Sequence, residues 1–238
     1  MGVARVAAAI LAAGSSRRLG EDKVTAELGG IPVICWSIAA ADASGVVDEI
    51  LVVAAPDRIP AVEAAVRSRY PDVRVVAGGA TRTASSWSAL AATDAGIVAI
   101  HDAARPFVTG SLFARCVASA RRDGSGVAAM PLADTVRRAD EAGVSVEELE
   151  REGLWQVQTP QAFRRGVLEH AKAQSLGGSF TDDAAAVVAA GGRTHMVLGE
   201  RRNLKITTAE DLAYARELVA KGLAAVAGTL GTKRVLPR

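Results

Sequence analysis

Aromatic side chains are scarce in this sequence: four Phe, three Trp and two Tyr among 238 residues. Half of the residues are nonetheless hydrophobic. Any core must therefore be built from Ala, Val, Leu and Ile, and a chain this apolar is not disordered over most of its length. Charge of one sign is missing too. Lys and Arg total 28 against 26 Asp and Glu, a net of +2, which is too small to argue for a nucleic-acid surface, although a local basic cluster could still bind phosphate. There are only two cysteines, Cys35 and Cys116, each among apolar residues and neither in a CxxC pair nor near a histidine. That excludes a disulfide framework and a cysteine metal site, fits a reducing compartment, and predicts a cytoplasmic protein. No hydrophobic run is long enough to span a bilayer. The apolar start, Met1 to Ala13, is too short, carries Arg5 and lacks the basic opening of a signal peptide. Two nucleotide signatures are also absent. Without GK[ST] there is no P-loop, and without GxGxxG a dinucleotide-dependent reductase is disfavoured.

What is present is alternation. Apolar runs at Arg5–Leu11, Glu49–Ala54, Val73–Ala77, Ile97–His101, Gly126–Pro131 and Arg193–Leu198 end in glycine, proline or aspartate and read as buried strands. Between and after them, Ile31–Ala43, Pro60–Arg69, Thr83–Thr93, Gly110–Arg122, Phe163–Ala173, Thr181–Ala190 and Thr208–Ala225 read as helices. Strands alternating with helices predict an α/β fold with a doubly wound, mostly parallel sheet and right-handed crossovers. In such a sheet ligands sit at the carboxyl ends of strands. The segment 135–154 breaks the pattern: it is charged, poor in bulky apolar residues and unable to bury much surface alone. It reads as an arm that leaves the core to pack on another subunit, or as a solvated loop. Residues 1–228 are expected to form a single domain with that arm, and 229–238 a short basic frayed tail.

Chemistry concentrates after the strands. Leu11 runs into Ala12, Ala13 and Gly14 and then a loop with Arg18 and Lys23. Small residues there let backbone N–H groups approach a polyphosphate, and the two cations add full charge. Phosphoryl transfer needs that kind of positioning and neutralisation more than covalent help. A Ser- and Arg-rich surface loop has the same composition. Gly78-Gly79-Ala80-Thr81-Arg82-Thr83-Ala84-Ser85 follows the third strand, and His101-Asp102-Ala103-Ala104-Arg105-Pro106 the fourth. Arg105 is suited to bidentate phosphate contact. His101 suits a structural role better than that of a base. The adjacent Asp182 and Asp183 are read as partners of a helix start rather than as a metal pair, and no metal-binding set is predicted.

Taken together, these stretches resemble the 2-C-methyl-D-erythritol 4-phosphate cytidylyltransferase family. The likeness extends over Val6 to about Leu218, with the motifs in family order: the first loop, GGATRTAS, HDAARP, Asp134-Thr135, the REGLWQVQTPQAF return, Thr181-Asp182-Asp183 and Asn203-Leu204-Lys205. The resemblance implies a Rossmann-like nucleotidyltransferase sheet and transfer of CMP from CTP to a small phosphopolyol, with Mg²⁺ held mainly by the CTP phosphates. It implies catalytic roles for Arg18, Lys23 and Lys205. The nucleotide would be held by Ala12, Ala13, Gly14, Gly78, Gly79, Ser85 and Ala103. Asp102, Arg105, Thr135, Arg151, Thr159 and Thr181 would contact the acceptor. It further implies a homodimer in which the arm carries Arg151 to the partner's site, with no nucleic-acid or membrane partner. Departures stand beside it. Asp22 and Val24 flank the loop lysine where the family has Pro and Gln, and SSRRLGEDK resembles the loop of the molybdenum-cofactor nucleotidyltransferases instead. Ser86 stands where the family has Val. A different phosphopolyol such as ribitol 5-phosphate, a molybdenum-cofactor activity and a non-catalytic CTP-binding module remain open as alternatives.

Overall fold

The computed structural model describes residues 3–14 and 25–226. Arg18, Lys23 and the tail 229–238 lie outside the described residues.

Strand β1 (Val6–Leu11) is buried over all but its last residue, as an apolar run covered on both faces must be. After a two-residue hairpin, β2 (Glu27–Leu28) with β3 (Ile31–Pro32), the chain enters α1 (Val33–Asp42). It then alternates through β4 (Glu49–Ala54), α2 (Ile59–Arg67), β5 (Arg74–Ala77), α3 (Arg82–Ala91), β6 (Ile97–Asp102), α4 (Gly110–Asp123) and β7 (Ser125–Pro131). An exposed hairpin of β8 (Val136–Ala139) and β9 (Ser145–Leu149) follows. The chain returns along β10 (Trp155–Arg164) and finishes with α5 (Arg165–Gln174), α6 (Asp183–Ala189), β11 (Met196–Leu198) and α7 (Ala209–Ala220).

Seven strands form one sheet in the order β11-β7-β10-β6-β1-β4-β5. The pairs β1–β4, β1–β6, β4–β5 and β7–β11 are parallel, while β10 runs antiparallel to both β6 and β7. The predicted α/β class and mostly parallel sheet are therefore the observed ones, with the segment 135–154 projecting from the sheet as the β8–β9 hairpin. The hydrophobic alternation misses β10. Its residues Trp155–Ala162 read only as the return from the arm, and Phe163 as the start of a helix. Two polar features hide it: Gln158, Thr159 and Gln161 are buried in a strand where apolar residues are the usual signal, and Pro160 interrupts the run. Proline is accommodated because the β7–β10 register shifts between Val157 and Gln161, a strand irregularity of the kind that spares its missing N–H.

The helix ends follow local chemistry. Thr109 caps α4 by accepting from Leu112 N–H at 3.1 Å, and Gly124 ends that helix at φ 89°, a left-handed turn suited to glycine. Thr208 and Asp211 form a reciprocal capping box on α7, as the run of hydroxyl and carboxylates there predicts. Cys35 and Cys116 are buried free thiols, and burial pushes their pKa values up to about 11 and about 12. No helix among the described residues is long and apolar enough to cross a membrane.

Candidate active site

The carboxyl ends of β1, β5 and β6 meet on one rim of the sheet. Ala12 N–H donates to Val53 O at 2.7 Å, Gly78 N–H to Ala54 O at 2.7 Å and Ala103 N–H to Leu11 O at 3.0 Å. These ladder extensions bring Ala12, Ala13, Gly78 and Ala103 side by side. A Cβ on Gly78 would lie 2.8 Å from Ser85 Oγ and 3.0 Å from Ala13 Cβ, and one on Gly79 would lie 2.4 Å from Ala84 Cβ. Both positions thus require glycine for packing as well as for backbone access. A Cβ on Gly14 would meet nothing within 4 Å among the described residues. The Ser85 hydroxyl is buried; it donates to Thr81 O at 2.9 Å and accepts from Gly79 N–H at 3.2 Å. It therefore fixes the shape of the glycine loop, while Thr81 caps α3 through Ala84 N–H at 3.0 Å.

Beside this cradle lies a charged cluster. Asp102 ends β6. Its Oδ2 is 2.6 Å from Lys205 Nζ and its Oδ1 is 3.3 Å from Arg82 Nε. Arg82 Nη2 lies 2.9 Å from Oδ2 of the buried Asp183, an ion pair whose N–H is not aligned as a hydrogen bond. Burial alone would raise the Asp102 pKa, but the Arg82 and Lys205 charges outweigh it and hold the carboxyl well below its usual range. Asp102 is therefore ionised at any working pH. Two of these residues are not among the site residues expected from the sequence: Arg82 reads only as part of the glycine-loop motif, and Asp183 only as a partner of a helix start. The available signal was an arginine one residue after a helix cap, in a stretch otherwise made of small side chains.

The overlooked strand β10 organises the rest. Thr159 Oγ1 accepts from Asp102 N–H at 3.0 Å and lies 3.0 Å from His101 Nδ1. His101 Nε2 is 3.2 Å from the Arg105 carbonyl, an obligate acceptor, so Nε2 carries the proton and Nδ1 accepts from the threonine. Burial, the largest effect, pushes the His101 pKa down to about 4. A neutral imidazole with both nitrogens engaged is a strut, which matches the sequence expectation. Gln158 Oε1 and the Thr159 carbonyl both accept from Asn203 Nδ2, at 3.1 and 2.8 Å. Gln161 accepts from Ala184 N–H at 3.0 Å and donates to Asp182 Oδ2 at 3.1 Å. Asp182, rather than Thr181, is the N-cap of α6, through Ala185 N–H at 2.7 Å. Thr181 itself is exposed.

Arg105 Nη1 donates to Asn203 O at 2.7 Å, and Ile206 N–H to Ala104 O at 2.8 Å. These bonds seat the Lys205 segment against the end of β6. Arg105 Nε is buried without a hydrogen-bond partner among the described residues. Thr135 and Arg151 lie apart, on the exposed base of the β8–β9 arm, where Arg151 donates to the Ala133 carbonyl. No hydrogen bond or ion pair among the described residues joins either to the Asp102 cluster. The structure therefore unites Ala12, Ala13, Gly14, Gly78, Gly79, Ser85, Asp102, Ala103, Arg105, Thr159 and Lys205, and leaves Thr135 and Arg151 outside that group.

Asp102 and Asp183 are both ion-paired to Arg82, and among the described residues no three His, Cys, Asp or Glu side chains converge as a cage. A Mg²⁺ ion that arrives on a polyphosphate and takes its oxygens from phosphate and water would need no such cage.

The family model described as IspD, 2-C-methyl-D-erythritol 4-phosphate cytidylyltransferase, matches residues 6–221. A bifunctional enzyme IspD/IspF of Anaeromyxobacter dehalogenans is 41% identical over 230 residues, covering 94% of this chain and 59% of that protein. The chain spans between 55% and 59% of the length of four such bifunctional relatives. The 2-C-methyl-D-erythritol 4-phosphate cytidylyltransferase of Geobacter metallireducens is 39% identical over 92% of this chain and 99% of its own length. Among solved structures, the 4-diphosphocytidyl-2C-methyl-D-erythritol synthase of Anaerococcus prevotii superposes with a TM-score of 0.80 at 27% identity, covering 91% of this chain and 99% of that one. The chain belongs to the 2-C-methyl-D-erythritol 4-phosphate cytidylyltransferase family.

Proposed function

We propose that the protein transfers CMP from CTP to 2-C-methyl-D-erythritol 4-phosphate, giving 4-diphosphocytidyl-2-C-methyl-D-erythritol and pyrophosphate, an isoprenoid-precursor reaction. Family membership supports the reaction. The observation that carries the site is the junction of two features at one sheet rim: a glycine- and alanine-lined cradle and the Lys205–Asp102–Arg82 cluster.

In this reading Ala12, Ala13, Gly14, Gly78, Gly79 and Ala103 line the nucleotide side, with Ser85 holding the loop in shape. Bound Mg²⁺ would neutralise phosphate charge, carried in mainly on the CTP oxygens. Lys205 stands between the two substrates, and Arg18 and Lys23 supply cations from the first loop. The acceptor's phosphate oxygen attacks the α-phosphorus and the bond to pyrophosphate breaks. No general base is needed, because a phosphate monoester is already largely ionised near neutral pH. Asp102, Arg105, Thr159 and Thr181 bound the acceptor side. Thr135 and Arg151 complete it from the arm of a second copy in a homodimer, an arrangement favoured by their exposure and by their distance in connectivity from the Asp102 cluster. A cytoplasmic setting fits two buried free thiols.

The test is pyrophosphate release that depends on CTP, Mg²⁺ and the acceptor, with ribitol 5-phosphate in the acceptor panel. Lys23→Ala is expected to lower turnover by about 100-fold or more with folding intact, the scale of one lost charge-stabilising donor. Turnover close to wild type in that variant refutes the role given to Lys23.

A further inference from the structure

Arg82 touches no substrate in the scheme above, yet it joins both halves of the site. It begins α3, directly after the glycine loop of the nucleotide side. From there its Nε reaches Asp102 Oδ1 at 3.3 Å and its Nη2 reaches Asp183 Oδ2 at 2.9 Å. The other oxygen of Asp102 is taken by Lys205 at 2.6 Å. One carboxylate is thus divided between a cation fixed by the nucleotide-side helix and a cation placed for the acceptor. The far end of Arg82 is anchored as well. Asp183 is buried in the first turn of α6, next to Asp182, whose side chain is gripped by Gln161. Meanwhile Arg82 Nη1 is buried with no hydrogen-bond partner among the described residues. An unmade bond to a buried donor is unfavourable, so stability alone is a poor account of an arginine here.

We infer that Arg82 is a positioning residue. It clamps Asp102 Oδ1 to the nucleotide-side helix, so that Oδ2 holds Lys205 Nζ where the acceptor phosphate meets the α-phosphorus. This rests on the reaction proposed above. A planar guanidinium can engage two carboxylates along separate N–H directions, whereas a lysine ammonium at the same place is a single point charge. Misplacing a catalytic group by about 1 Å can cost on the order of 100-fold in rate.

The experiment compares wild type, Arg82→Lys and Asp183→Asn for kcat, for acceptor KM and for CTP affinity by calorimetry. Arg82→Lys is expected to lose at least about 30-fold in kcat, within the range for a misplaced group, while CTP affinity stays close to wild type. Asp183→Asn frees the far end of Arg82 but leaves the Arg82–Asp102 contact, so its kcat should fall as well, by a smaller factor than in Arg82→Lys. A pH profile adds a readout that a merely structural role leaves still. Asp102 faces Arg82 from α3, Lys205 from the segment before α7, His101 from its own strand and Arg105 from the next turn. Arg82→Gln removes one of the two cations that keep its carboxyl acidic, so the acid limb of kcat/KM should move to higher pH. Near-normal kcat in folded Arg82→Lys overturns the inference. If wild type itself releases no pyrophosphate, the acceptor assignment falls and this inference with it; normal wild-type turnover beside an indifferent Arg82→Lys overturns this inference alone.

Discussion

The molecule pairs arginine with carboxylate in two contrasting places. At the rim of the sheet Arg82 holds Asp102 at 3.3 Å and Asp183 at 2.9 Å; on the β8–β9 hairpin Arg137 holds Glu148 at 2.7 Å and Arg138 holds Glu147 at 2.8 Å. The hairpin pairs are the shorter ones. By distance they would be ranked stronger, and burial reverses the ranking. The Asp183 side chain is 2% exposed, whereas all four hairpin side chains are more than half exposed. In water an ion pair gains little over two hydrated charges. In the interior each partner has given up hydration, so the loss of one strands the other. The rim also has neighbours that hold it in place, through Thr159, Gln161 and Asn203, while the hairpin exposes Val144 and Val146 and, among the described residues, its two strands pair only with each other. A two-stranded hairpin is marginal by itself.

The sharpest way to break this contrast is to neutralise the buried partner. Asp183→Asn removes the charge opposite Arg82 and is expected to cost about 3 kcal/mol of folding free energy, the scale of a broken buried pair. Chemical denaturation would measure it. A cost as small as that of a surface pair would mean that water reaches Arg82 and that the two regions do not differ.

How much of this was legible beforehand follows the same division. The six strands and seven helices read from alternation are all present, because each is an apolar run or stripe ended by a turn residue. The one strand of the seven-stranded sheet that was not read, β10, lies inside that sheet, between β7 and β6. Its burial is invisible to hydrophobic pattern because Gln158, Thr159 and Gln161 face inward to bind side chains and backbone of other segments. For the site, the motifs located Asp102, Lys205 and the glycine cradle, since strand ends are where an α/β sheet places its ligands. Arg82 and Asp183 were not assigned because an ion pair 101 residues apart in sequence has no local signature. Arg18 and Lys23 fall outside the described residues, so their place at the site rests on motif alone.

A second prediction concerns protonation at the rim. His101 is buried and neutral, with its pKa lowered by burial to about 4 from 6.5. The unfolded chain binds that proton more readily, so stability gains with pH between those values. The contribution is fully present above about 6.5 and is lost as pH falls toward 4. Between pH 7 and pH 5 this amounts to about 2 kcal/mol. Denaturation curves at the two pH values, compared with those of His101→Gln, should show the difference shrink by that amount. An imidazole that titrates near 6.5 by NMR would show the rim to be as wet as the hairpin.

The smallest effect belongs to the hairpin. Arg137→Ala removes an exposed cross-strand pair and should change folding free energy by less than about 0.5 kcal/mol in the dilute protein. The measurement is informative because the proposed dimer would cover the arm. Association stabilises the folded state by an amount that grows with the logarithm of concentration, so a dilution series distinguishes two sources of a larger shift. A penalty that grows as the protein is concentrated places Arg137 at the interface between copies. One that persists at high dilution means that a short exposed pair matters within a single chain, and the ranking by burial is then wrong.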